Sequence, residues 1–121
     1  MKVLVCGGRA YSDKARVFEV LDKLQPRPTL IIHGNARGAD ALAQLWAESR
    51  KVVFRKFNAK WKLYGPAAGS IRNREMLLKG EPNLVVAFPG GKGTADMVGA
   101  AAVCKVPVLI VDQKEVRRFE L

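Results

Sequence analysis

Residues 84–97 read "LVVAFPGGKGTADM". Five apolar residues pass into Pro89, Gly90, Gly91 and Gly93 and then into an apolar segment with small side chains, which predicts a buried strand, a tight turn and a helix opening at Thr94. A helix start leaves its first amide N–H groups unpaired and presents the positive end of its dipole. Glycine lets an anion come close to that backbone, so a phosphate site is expected at this turn.

The same alternation runs through the chain. Branched apolar runs "VLVC" (3–6), "TLII" (29–32), "VVFRKF" (52–57) and "PVLIV" (107–111) join "LVVAF" as five short strands, separated by segments long enough for helices. Strands alternating with helices predict a doubly wound α/β fold, a parallel sheet covered on both faces. Helices are expected near residues 13–25, 37–50, 70–79 and 94–104, with Gly80 and Pro82 ending the third and Ser70 as its N-cap. "VVFRKF" alternates polar with apolar residues and is expected at the sheet's edge.

A length of 121 residues with 49% apolar content predicts one domain over residues 1–121. No apolar run approaches a membrane span, and Met1 leads straight into "KVLVC", so a cytoplasmic protein without membrane contact is expected. Cys6 and Cys104 lie in apolar contexts without CxxC spacing and read as reduced core thiols. His33 is the only histidine, and no metal or bound cofactor is expected. The net charge of +10 calls for an anionic partner.

Seven of the eleven glycines fall just after a predicted strand: Gly7 and Gly8, Gly34 and Gly38, and Gly90, Gly91 and Gly93. Parallel strands bring those loops to one rim, where ligands of open α/β sheets bind. Two familiar phosphate motifs do not fit. A P-loop needs Lys followed at once by Ser or Thr, whereas Gly93 follows Lys92, and "CGGRAYSD" (6–13) lacks the third glycine of a dinucleotide fingerprint.

"PGGKGT" (89–94), with "CGGR" (6–9), "HGNARGAD" (33–40) and "IRNREML" (71–77), resembles the SLOG superfamily, in particular its small branch related to YspA and YpsA. The superfamily also holds the Lonely guy phosphoribohydrolases and the DNA-processing protein DprA. The resemblance implies a Rossmann-like three-layer α/β/α domain of strand order 3-2-1-4-5. It also implies a nucleotide or nucleotide-derived ligand, either sensed or hydrolysed at its N-glycosidic bond as a nucleoside 5′-monophosphate. The phosphoribohydrolases carry PGGxGTxxE; Gly90, Gly91, Gly93 and Thr94 match, but Met97 stands where the glutamate belongs. Asp96, one residue earlier, lies about 100° away around a helix and is an imperfect substitute. The same enzymes carry an arginine at the spacing of Arg74 from Pro89.

Arg74 also stands out on a helical wheel, at the centre of a face marked by Ile71, Leu77 and Leu78. A charge there needs a carboxylate (Asp40 or Asp96), carbonyl groups or a bound anion. Candidate ligand residues are Gly7, Gly8, Arg9, Gly34, Arg37, Asn73, Arg74, Gly90, Gly91, Gly93 and Thr94; candidate catalytic groups are Asp96, Arg74 and Asp40. Asp40 has an alternative use at a helix start, where the dipole favours an acid, and Trp61 and Tyr64 could stack on a base or pack against the core.

Two further expectations concern partners. The helix over 94–104 is apolar almost all round and needs a second cover, for which a partner copy in a homodimer is the natural choice. The alternative function is a DprA-like module for single-stranded nucleic acid. Arg50, Lys51, Arg55, Lys56, Lys60 and Lys62 interleave with Phe54, Phe57 and Trp61, a pattern that can neutralise phosphates and stack bases. A basic edge strand that blocks sheet-to-sheet aggregation has the same composition.

Overall fold

The computed structural model describes residues 1–112 and the backbone of 116–119. In chain order the elements are β1 (Lys2–Cys6), α1 (Lys14–Asp22), β2 (Leu30–His33), α2 (Ala39–Arg50), β3 (Val53–Lys56), α3 (Trp61–Tyr64), a 3-10 turn (Gly65–Ala67), α4 (Ala68–Gly80), β4 (Leu84–Ala87), α5 (Lys92–Val103), β5 (Val108–Val111) and β6 (Val116–Phe119). The sheet runs β3-β2-β1-β4-β5-β6. Its first five strands are parallel in the order expected, and β6 adds an antiparallel strand beside β5 that the sequence pattern had not singled out. The fold is Rossmann-like.

Side-chain alternation on the strands divides the core in two. Val3 and Val5 of β1, with Ile31, Leu84 and Val86, pack against Val17, Val20 and Leu21 of α1 and Ala39, Ala43, Trp46 and Ala47 of α2. Leu4 and Cys6 point the other way, with Ile32, Val85 and Val108, against Met76 and Leu77 of α4 and Met97, Ala100 and Ala101 of α5. β1, β2, β4 and β5 are therefore apolar on both faces, as a parallel sheet between two helical layers requires. β3 is the exception: it lies at the edge, and Val53, Arg55 and Lys56 are exposed.

Local chemistry sets the helix ends. Asp13 caps α1 by accepting from the Arg16 amide at 3.0 Å. α4 stops at Gly80, where Glu81 takes a left-handed conformation ahead of Pro82. The helix starts earlier than expected, at Ala68, so Ser70 lies inside the first turn rather than at the N-cap. Its buried face is Asn73, Met76, Leu77 and Gly80, which turns Leu78 and Arg74 outward and corrects the helical-wheel placement of Arg74. Cys6 is buried, but Cys104 ends α5 exposed and is no core thiol.

Between α1 and α2, Asp22 accepts from Trp46 Nε1 at 2.8 Å and from Arg50 Nε and Nη2 at 3.0 and 2.9 Å. The Arg50 and Trp46 hydrogen bonds hold the Asp22 carboxyl below its ordinary pKa. This clamp sits at the end of the sheet opposite the glycine loops, since α1 and α2 run back from them.

Candidate functional site at the carboxyl edge of the sheet

The β1, β2 and β4 loops are joined by backbone hydrogen bonds. The Gly8 amide donates to Pro89 O at 2.8 Å, and Gly8 O accepts from Ala39 N at 3.1 Å and Tyr11 N at 3.2 Å. Such closeness leaves no room for side chains. A Cβ on Gly38, at φ +75°, would lie 2.1 Å from Gly8 O, and one on Gly90 would lie 2.2 Å from Thr94 Oγ1 and 2.7 Å from Gly8 N. Gly91 differs: a Cβ there meets nothing within 4 Å.

Beside this junction lies an open cavity of about 270 Å³, lined by Cys6, Gly7, Gly8, Arg9, Ala36, Asp40, Arg72, Asn73, Met76, Gly91, Gly93 and Thr94. α5 opens on it with Gly91 as N-cap and no side-chain cap, so the backbone of its first turn forms one wall. Two arginines and one acid supply the charge. Burial pushes the Asp40 carboxyl up to about 6, against the pull of hydrogen bonds from the Ala36 and Gly34 amides, both at 3.1 Å to Oδ2, and of the Arg72 and Arg9 charges. Burial, with Asp40 nearby, also pushes the Cys6 thiol up, so it stays protonated at neutral pH.

Arg72 was not among the residues expected from the sequence. It is drawn in by Gly34: a Cβ there would sit 2.9 Å from the Arg72 guanidinium carbon, and in its absence Arg72 Nη1 donates to Gly34 O at 2.9 Å. Burial pushes its pKa down against the stabilising charge of Asp40. The available signal was its place one residue before Asn73 in "IRNREML", on a helix following the glycine loops.

Arg74 and Asp96, by contrast, face each other across the α4–α5 contact and do not line the cavity. Asp96 Oδ2 accepts from Asn73 Nδ2 at 2.9 Å and Arg74 Nη1 at 3.3 Å, and Oδ1 from Ser70 Oγ at 3.3 Å. Burial raises its pKa, but these hydrogen bonds and the Arg74 charge outweigh it and hold the carboxyl below its usual range. Asn73 also donates to Gly93 O at 3.3 Å, tying α4 to the first turn of α5. Met97, at the glutamate position of the phosphoribohydrolases, is wholly buried.

Arg37 and Gly90 are both exposed and outside the cavity lining, Gly90 standing close against Thr94 and Gly8. His33 is buried with both ring nitrogens engaged: Nε2 bonds Gln44 Oε1 at 3.0 Å and Nδ1 accepts from the Asn35 amide at 3.0 Å. Burial lowers its pKa, which keeps the ring neutral. Along the basic stretch the aromatic rings are not jointly available. Phe57 is buried, Phe54 packs against His33 with ring centroids 6.0 Å apart, and only Trp61 is largely exposed, at 48%. No group of three His, Cys, Asp or Glu that could hold a metal gathers among the described residues, and none of their helices is long and apolar enough to cross a membrane.

Comparison with known proteins agrees with this architecture. A UDP-GlcNAc 2-epimerase from Neisseria meningitidis, solved bound to UDP-GlcNAc, superposes with a TM-score of 0.57 at 19% identity over 92% of this chain, which spans 32% of that enzyme's length. The Gene 61 protein of Mycobacterium phage D29 is 35% identical over 118 residues, covering 89% of this chain and 94% of its own. The family model described as "YspA, cpYpsA-related SLOG family" matches residues 1–64, from β1 through α3. The chain belongs to the YspA, cpYpsA-related SLOG family.

Proposed function

We propose that the cavity binds the phosphate-bearing end of a nucleotide or nucleotide-derived ligand and that the protein is a sensor of it. One observation carries this: the uncapped first turn of α5 and the guanidinium groups of Arg9 and Arg72 converge on one cavity at the carboxyl edge of the sheet. Unpaired amides and two cations, Arg72 held against Gly34 O and Arg9 exposed at the rim, suit a phosphate better than a neutral ligand. The net charge of +10 favours the approach of such an anion, and the UDP-sugar complex of the structurally similar epimerase is in keeping with a nucleotide class.

Sensing is favoured over N-glycosidic hydrolysis because the carboxylates are placed poorly for catalysis. Met97 supplies none, and Asp96 is engaged by Ser70, Asn73 and Arg74. Asp40 remains the single acid on the cavity wall among the described residues. Calorimetric titration with nucleoside monophosphates, followed by chromatography for free base over hours, tests both parts. Binding without base release is expected; base release by the wild type and not by Asp40→Asn would make it a hydrolase, and no binding would remove the nucleotide assignment.

We also propose a homodimer through α5. The helix buries only Met97, Ala100 and Ala101 in its own core, and leaves Ala95, Gly99, Ala102 and Val103 exposed, the last at 84%. Leu78 of the adjoining α4 is exposed at 71% and extends the apolar surface. Small residues on that face permit close helix contact with a second copy.

A further inference from the structure

The chain has two tryptophans that live in opposite environments. Trp46 is buried, with its indole N–H held by Asp22, and serves the core. Trp61 opens the short helix α3 and exposes about half its surface, although indole is the side chain with most apolar area to hide. Its position is nonetheless defined. A Cβ on Gly69 would stand 3.4 Å from Trp61 Cη2 and 3.9 Å from Arg72 Nη2, so the ring's far edge rests over a glycine that adjoins a cavity arginine. On the open face lies Arg9, its guanidinium carbon 5.5 Å from the ring centroid, and Arg9 is itself part of the cavity wall.

A flat cation on an indole occupies the same kind of place as a flat heterocycle, since both stack on the ring face. Resting on the nucleotide assignment of the cavity, we propose that Trp61 is the stacking platform for the ligand's base and that Arg9 covers it until the ligand arrives. The α5 turn holds the phosphate at one end of the site and the base lies on Trp61 at its mouth. Arg9, displaced from the ring, stays within the cavity wall and turns its charge to the phosphate. Because every base presents a π-face, the platform selects nucleotides over sugar phosphates without choosing strongly among bases.

Titration of the full chain with AMP, GMP, CMP, UMP and ribose 5-phosphate tests this. At least one nucleotide should bind roughly tenfold or more tightly than ribose 5-phosphate, and Trp61→Ala should abolish that margin while ribose 5-phosphate binds as before. Trp61→Phe should keep most of it. Fluorescence gives a readout that needs no variant to fold: nucleotides should quench the exposed Trp61 emission of the wild type and ribose 5-phosphate should not. Equal binding of nucleotides and ribose 5-phosphate, or a margin untouched by Trp61→Ala, overturns the platform and leaves the phosphate site standing. Failure of all five compounds to bind overturns both.

Discussion

Arg74 Nη1 stands 3.3 Å from Asp96 Oδ2, and Arg74 also donates to Ser70, so this guanidinium spends its hydrogen bonds on the seam between α4 and α5. Arg72, two residues earlier, reaches the cavity instead. The two arginines should separate in binding assays. Arg72→Ala is expected to weaken nucleoside monophosphate binding by tenfold or more, the scale of a charged hydrogen bond, whereas Arg74→Ala should change it less than twofold and lower the melting temperature slightly. Calorimetric titration beside thermal melts of both variants checks this.

Gly90 and Gly91 are adjacent but should fail differently. Gly91→Val has free space for its side chain and should fold with nearly wild-type stability while losing anion binding, because the new methyls stand at the cavity wall. Gly90→Val would drive a side chain into Thr94 and Gly8 and should unfold or melt many degrees lower. Circular dichroism followed by titration with AMP distinguishes them.

Asp40 gives stability a particular pH dependence. Its pKa is raised in the folded chain from 3.8 to about 6, so the proton is held more tightly folded than unfolded. Stability from this group is full below about 4 and is lost as pH rises through 6. Asp40→Asn keeps an oxygen to accept from the Gly34 and Ala36 amides and removes the buried charge. Its melting temperature should match wild type near pH 4 and exceed it at pH 7.5, with a ceiling of about 3 kcal/mol for a carboxyl moved from 3.8 to about 6. Paired melts across that range measure the difference; a constant offset would contradict it.

Val103 should report on self-association. Val103→Lys places a charge on the exposed face of α5 without touching the core, so the chain should stay folded and sediment as a monomer where wild type sediments as a dimer. Wild-type sedimentation as a monomer at high concentration would remove the homodimer.

The parallel sheet of the first five strands was legible from the alternation of strand and helix periods, and their order from the family resemblance. β6 was not, since "VRRF" carries no apolar alternation to mark an edge strand. Gly7, Gly8, Gly91, Gly93, Thr94, Asn73, Arg9 and Asp40, expected from the sequence, line one cavity. Arg74 was misplaced because Ile71 and Leu78 suggested the wrong face of α4; the amide at the centre of its buried face, Asn73, escapes a wheel drawn from apolar residues alone. Arg72 depends on a glycine 38 positions away in the chain, a relation that only the fold reveals.

The hydrogen bond from Gly8 to Pro89 O joins the loops after β1 and β4, far apart in the chain, at the middle of the sheet. Arg9, Asp40, Arg72 and Gly93 become neighbours only when β1 has docked between β2 and β4, so no fragment or partly unfolded chain carries the cavity. A ligand of the cavity, as proposed, would bind the folded chain alone and shift its unfolding equilibrium. A ligand at a hundred times its dissociation constant adds about 2.7 kcal/mol to the folded state. The melting curve of the whole protein thus tests the proposed site without a labelled probe, and a library of cellular anions can be ranked by the shift each produces.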